Sequence, residues 1–212
     1  MYAELHCLSN FSFLRSASYP QELVQQAAEL GYTALAITDE CSLAGVRKAH
    51  VAAKACGLHL IIGAEFHLQE NLQVIALATD RPGYGELSSL ITLARRRAPK
   101  GEYTLHLHEL EHNLRHNLLI WKPQAGAADN DRFAQELKRA FAGRLWLGFS
   151  NWLTGDESER YEAVYRLALD WQIPMVACGD VAMHRPERKQ LLDTVTAIRH
   201  VTTIEELGLR PV

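Results

Sequence analysis

Residues 35–66 read LAITDECSLAGVRKAHVAAKACGLHLIIGAEF, and this stretch decides the fold class. Leu35-Ala36-Ile37-Thr38 is a short apolar run with strand composition. Leu43 to Ala55 carries apolar residues at helical spacing and stops at Gly57, a residue suited to the left-handed turn that ends a helix. Leu58 to Gly63 is apolar again, so the stretch reads strand, helix, strand.

The same alternation continues outward. Tyr2 to Cys7 is expected to form a strand and Pro20 to Leu30 a helix, with Ser18 as N-cap and Gly31 as stop. Downstream come strand Leu72 to Ala78, helix Tyr84 to Arg97, a hairpin-like region over Tyr103 to Leu114, and strand Asn117 to Trp121. Helix Asp131 to Ala142, strand Leu145 to Phe149, helix Glu157 to Trp171, strand Pro174 to Cys178 and helix Glu187 to Arg199 complete the pattern. Strands separated by helices of this length imply parallel pairing through right-handed crossovers. About seven of them predict an α/β protein with a closed or nearly closed β/α barrel, with a doubly wound open sheet as the rival.

With 212 residues, of which 48% are hydrophobic, the chain can bury one substantial core. A single domain is the expectation, because α/β barrels commonly fill about 200 to 250 residues. The formal charge of −3 and pI near 6.4 argue against a chain whose main task is coating nucleic acid. Cys7, Cys41, Cys56 and Cys178 form no CxxC pair and sit in apolar stretches, so buried reduced thiols and a cytoplasmic setting are expected. Glu4 and His6 interrupt any apolar leader, and no run of about 18 apolar residues offers a membrane span.

In barrels and open sheets alike, chemistry gathers where strands end. The polar residues at those ends are His6 with Ser9, Thr38-Asp39-Glu40, Glu65, and Gly179-Asp180 with His184. His6, Asp39, Glu65 and Asp180 could hold a divalent metal, since borderline cations accept imidazole together with carboxylate. A hydrogen-bonded polar rim without metal is the other reading. For Asp39, acid/base chemistry stands beside helix capping.

Other features point away from chemistry. His106, His108, His112 and His116 lack the glutamate of an HExxH site and read as exposed polar surface. Arg95-Arg96-Arg97 with Lys100 reads as a solvated helix end suited to the macrodipole, with a phosphate-backbone contact as its alternative. Trp146, Trp152, Trp171 and Tyr161 read as core or interface. Gly83-x-Gly85, in an expected Pro-Gly-Tyr-Gly turn, matches no nucleotide loop, and no GxSxG elbow occurs.

Taken together, several motifs carry a resemblance. They are Glu4 to Leu14 (ELHCLSNFSFL), Ala36 to Gly45 (AITDECSLAG), Ile62 to Phe66 (IGAEF), and Leu87 to Arg97 followed by Lys100-Gly101-Glu102-Tyr103. Gly179 to His184 (GDVAMH) and Asp193 to Arg199 (DTVTAIR) complete the set. The chain resembles the PHP (polymerase and histidinol phosphatase) domain of bacterial C-family DNA polymerases, DNA polymerase III alpha-subunit-like, in the error-prone branch.

The resemblance implies a distorted seven-stranded, TIM-barrel-like PHP barrel over residues 1–200, with 201–212 starting a linker into absent polymerase domains. It also implies a ligand set, because active members hold up to three metals and hydrolyse phosphoesters, some as 3′–5′ proofreading exonucleases. His6, Glu65 and Asp180 match ligand positions. Five positions depart from the pattern: Leu8 for the second histidine of His-x-His, Arg15 for a ligand after Phe-Ser, Glu40 for the histidine of Thr-Asp-His, Gln73 for a strand histidine, and Ala182 for the histidine of Asp-x-His. A further mid-chain histidine of the family has no placed match.

Leucine and alanine cannot coordinate, and Arg15 carries a permanent positive charge. The expectation is therefore a vestigial site with no catalytic residue and no cofactor, in which Arg15 pairs with Glu40, Glu65 or Asp180. The alternative is a reduced phosphoesterase or exonuclease site holding Zn or Mn. The resemblance further implies a parent enzyme that is a Mg-dependent nucleotidyltransferase in translesion synthesis and DNA repair. Expected partners are its other domains, DNA through the parent, and other damage-response replication proteins, with no membrane.

Overall fold

The computed structural model describes residues 2–152 and 154–207. Seven strands lie in chain order across one sheet: β1 (Ala3–Glu4), β2 (Ala34–Ile37), β3 (His59–His67), β4 (Gln73–Ala78), β5 (Asn117–Lys122), β6 (Leu145–Phe149) and β7 (Met175–Ala177). A doubly wound sheet reverses its strand order at a switch point, and this order never does. The α/β barrel class expected from the sequence is the one adopted.

Two compact units make up the chain. The first comprises Met1–Ala64 and Asp180–Val212, the second Glu65–Gly179. In the first, β1 pairs parallel with β2 and β2 with β3. Helix α1 (Pro20–Glu29) buries Leu23, Val24 and Ala27 against α2 (Val46–Cys56), which contributes Ala49 and Ala53 to the same core as Leu35, Ile37 and Cys7. The spacing of these residues, three and four apart, places them on one helical face. Gly57 ends α2 at φ 71°, the left-handed position expected of a helix-stopping glycine.

This unit also contains a single 3-10 turn at Pro186–Arg188, helix α7 (Lys189–His200) and, at the chain's end, helix α8 (Ile204–Leu207), which falls within the expected linker. Residues 208–212 of that linker lie outside the described residues. The N-cap of α1 is Tyr19, not Ser18. The Ser18 hydroxyl is engaged elsewhere, at 2.7 Å from His184 Nδ1 while accepting the His184 amide at 2.9 Å, and the Tyr19 amide donates to Glu22 instead.

In the second unit β4 pairs antiparallel with β5, and β5, β6 and β7 pair parallel. The sheet is therefore mixed, not wholly parallel. Only five residues, 68–72, separate β3 from β4, too few for a parallel crossover, which takes a dozen or more. They form a tight turn with Leu68 N donating to Leu72 O at 2.8 Å and Asn71 at φ 61°, a left-handed position asparagine tolerates.

Helix α3 (Arg81–Arg96) begins at Asp80, whose carboxylate accepts the Gly83 amide at 2.8 Å, so the Pro-Gly-Tyr-Gly segment is its first turn and not a loop. The hairpin-like region contains helix α4 (Leu107–Asn113), which buries Leu107 and Leu110. Helices α5 (Asn130–Ala140) and α6 (Glu157–Trp171) complete the unit. Trp121 of β5 is fully buried and meets Phe133 of α5 edge-on.

None of the four cysteines is in a disulfide, and three are buried. Cys56, at the last position of α2 beyond its packed turns, is exposed. No helix among the described residues is long and apolar enough to cross a membrane.

Candidate functional site

In the first unit the site is built on the segment that leaves β1. Past β1, Cys7 forms a parallel bridge with Val181, and the His6 carbonyl and Leu8 amide bond the Val181 backbone at 3.1 and 2.8 Å. This ladder brings two expected site residues together, with His6 Nδ1 lying 2.5 Å from Asp180 Oδ1. His6 is nearly fully buried, and its amide donates to the buried Glu4 carboxylate at 2.9 Å.

Asp39 emerges from the end of β2 and is also buried. Its Oδ1 accepts the Ser9 amide and the Ser12 hydroxyl, and its Oδ2 the Ser9 hydroxyl, each at 2.7 Å. These bonds tie the turn after His6 to β2. Asp39 caps no helix, because α2 begins later, after Gly45, where an added Cβ would lie 2.9 Å from Asp39 Oδ2. Burial pushes the Asp39 carboxyl up from its ordinary range, against the serine hydrogen bonds that pull it down. Burial likewise pushes the Cys7 thiol well up, helped by the nearby Glu4 and Asp39 charges.

The turn held by Asp39 delivers Arg15, whose Nη1 donates to Glu40 Oε2 at 2.8 Å. The Ser12 hydroxyl accepts the Glu40 amide at 2.9 Å, so one serine aligns both sides of the ion pair. Leu8 and Ala182 are buried, Ala182 in a small apolar cluster with Ala17 and Leu192. The Ala182 carbonyl accepts the Ala17 amide and the Ser16 hydroxyl, each at 2.9 Å.

Three non-glycine residues here occupy the left-handed region: Leu14 at φ 60°, Cys41 at φ 45° and Asp180 at φ 52°. Each adjoins or is a site residue, and such conformations cost of order 1–3 kcal/mol apiece.

Within the second unit, Glu65 on β3 is fully buried, and its Oε1 lies 2.5 Å from Nε2 of His67. The sequence reading passed over His67. Its signal was the spacing of two, which sets both side chains on one face of a strand. Gln73 opens β4 opposite Lys122, whose ammonium lies 5.2 Å from the Trp152 ring centroid. Trp152 and Tyr161 are exposed, not core. Of the expected surface histidines, His106 pairs with Glu70 at 3.3 Å and His116 with Asp80 at 2.9 Å.

Several of the side chains that could hold a divalent ion also bond within the protein. His6 and Asp180 face one another, Asp39 accepts three serine bonds, and Glu40 accepts Arg15. Among the described residues no three His, Cys, Asp or Glu side chains converge as a cation site requires.

The chain is 52% identical over 209 residues to an error-prone DNA polymerase of Teredinibacter turnerae, covering 99% of this chain and 20% of that protein. It is 50% identical over 209 residues to the error-prone DNA polymerase of Methylococcus capsulatus, covering 98% of this chain and 20% of the relative. The chain thus spans about a fifth of the length of the curated relatives it matches.

Among solved structures, a candidate metal-dependent phosphoesterase from Bifidobacterium adolescentis superposes with a TM-score of 0.63 at 17% identity, covering 92% of this chain and 96% of that one. An amidohydrolase from Chromobacterium violaceum gives 0.63 at 13% identity, covering 86% and 88%. These likenesses concern the fold alone. Residues 4–140, from the buried glutamate beside His6 to the end of α5, match the PHP domain, and the chain belongs to that family.

Proposed function

We propose that this chain is the PHP portion of an error-prone DNA polymerase, retained as a non-catalytic structural and interaction module with a vestigial metal site. The observation that carries the reading is the Arg15–Glu40 ion pair, because Arg15 stands where the family resemblance puts a metal ligand. Carboxylates gathered at strand ends repel one another unless a metal, a proton or a guanidinium neutralises them. A fixed guanidinium supplies that charge without coordination chemistry. The partners of His6 and Asp39 support the reading, as do the buried apolar side chains of Leu8 and Ala182. The left-handed residues around the site fit a backbone shaped for ligation, since strain of this kind collects at functional sites.

In the parent chain the module supports the remaining polymerase domains. Polymerase chemistry on DNA, the nucleotide-binding Mg and the damage-response translesion role belong to those domains, in the cytoplasm. The names of the 52% and 50% identical relatives support the assignment to an error-prone DNA polymerase.

A second reading, a metal-dependent phosphoesterase or 3′–5′ exonuclease with a reduced Zn or Mn site, draws on the buried Glu65 carboxylate beside His67. One experiment separates the two. The purified chain is analysed for bound metal, then assayed on a small phosphodiester and on single-stranded DNA with Mn or Zn, beside the Glu65→Ala variant. The vestigial reading expects substoichiometric metal and no turnover that Glu65→Ala abolishes. Stoichiometric metal with Glu65-dependent hydrolysis overturns it.

A further inference from the structure

We propose that the exposed face of α3 is a contact surface for the phosphodiester backbone of nucleic acid. A shallow groove of about 560 Å³ runs along this helix, lined by Ser88, Ser89, Thr92, Leu93, Arg96 and Arg97. None of the candidate site residues lines it, and the inference does not depend on the state of the metal site.

The charge is concentrated here. Residues 95–100 contain four arginines and lysines and no carboxylate, Arg97 being paired with Glu109, in a chain whose total is −3. At physiological ionic strength charges are screened beyond about 8 Å, so a docking phosphate responds to this local patch and not to the net charge.

Not every cation in the patch is available. Arg97 donates to Glu109 at 2.6 Å and to the Leu93 carbonyl at 3.3 Å. Arg95 donates to the carbonyls of Gly101 and Glu102 at 3.2 and 3.4 Å and lies over the Tyr103 ring. Arg96 and Lys100 are exposed and make no such bond among the described residues, and neither do the hydroxyls of Ser88 and Ser89. Thr92 spends its proton on the Ser88 carbonyl at 2.8 Å.

A solvated helix end accounts for part of this arrangement only. The macrodipole favours cations within the last turn, yet the groove extends two turns further back, to Ser88. Ser88 and Arg96 are eight residues apart, about 12 Å along the axis. That length matches three to four phosphates of one strand at about 3.4 Å of axial rise each.

The lining also favours phosphate over protein. Arginine, lysine and serine or threonine hydroxyls are the usual donors to phosphate oxygens. Protein interfaces are anchored by buried aromatic and large apolar residues, and this groove offers only Leu93.

The test uses the 212-residue chain and a labelled 20-base-pair duplex of arbitrary sequence, with fluorescence anisotropy at 20 to 200 mM salt. Two free cations predict a slope of log Kobs against log salt of about −2. Removing one phosphate contact at 50 mM salt costs about tenfold, so Arg96→Glu and Lys100→Glu should each weaken binding by at least that much. The double variant should flatten the slope. Lys54→Glu, the same charge change on α2, should alter affinity less than about twofold, and thermal melts should show all variants folded.

The proposal is overturned if the chain does not bind duplex at the lowest salt, or if Lys54→Glu weakens binding as much as Arg96→Glu. It is equally overturned if polyglutamate competes as well as DNA at equal charge, which would assign the face to an acidic protein.

Discussion

Replacing Arg15 by methionine and Glu40 by glutamine, singly and together, measures whether the ion pair holds this site. The charges approach with Nη1 and Oε2 2.8 Å apart, and their side chains are 11% and 27% exposed. At an effective dielectric of about 20, two unit charges centred about 4 Å apart attract by about 4 kcal/mol. Desolvation and the freezing of a long side chain offset most of that. An exposed pair nets about 0–1 kcal/mol, whereas breaking a fully buried one costs about 3–5 kcal/mol.

This pair lies between those limits, so a coupling energy of about 1–2 kcal/mol is expected. Arg15→Met alone should be the most damaging, about 2–3 kcal/mol, because it leaves a largely buried carboxylate without its cation. Glu40→Gln keeps an acceptor for the guanidinium and should cost less. The double variant should be more stable than the sum of the singles implies, and the cycle separates the pair from the other contacts of both residues. Equilibrium urea unfolding gives all four free energies. A coupling below about 0.3 kcal/mol, within the additivity of independent sites, would refute the idea that the guanidinium neutralises the site.

Three further outcomes follow from the packing and charges. Gly83→Ala removes a glycine from a helix, which by propensity alone gains about 1 kcal/mol. The new Cβ would lie 2.2 Å from the His116 carbonyl oxygen, so the backbone must move and a net loss of about 1–3 kcal/mol is expected by thermal unfolding. At Glu109, burial would raise the carboxyl, but the Arg97 guanidinium and the His106 amide outweigh it and hold it below its ordinary range. Its folded value being depressed, the stability it contributes is present above the unfolded pKa and lost as pH falls through the folded one. The deficit of Arg97→Met should therefore shrink between pH 7 and pH 3 in urea titrations. Thiol labelling of the native chain should modify Cys56 rapidly and the buried Cys7, Cys41 and Cys178 only after denaturation, read as one fast adduct followed by three by mass spectrometry.

Residues 35–66, with their apolar runs and the helical spacing between them, determined the alternation of strand and helix and therefore the α/β class. The strand order could be anticipated because consecutive elements of such a pattern lie side by side. Periodicity carries no strand direction, so the antiparallel β4 was invisible until the five-residue turn at 68–72 was seen in place. Side-chain competition was equally hidden. Ser18 has the composition of a helix cap, but His184, more than 160 residues away in sequence, takes its hydroxyl. Asp39 looked like a cap or a base and is a tie between two loops, because Ser9 and Ser12 reach it before any helix does.

At the candidate site, the ligand-like and ligand-lacking positions could be read one by one from the chain. That Arg15 reaches Glu40 could not, since only the folded turn anchored by Asp39 sets its Nη1 2.8 Å from Glu40 Oε2. Such a contact is a matter of distance and direction, and these exist only once the chain is folded.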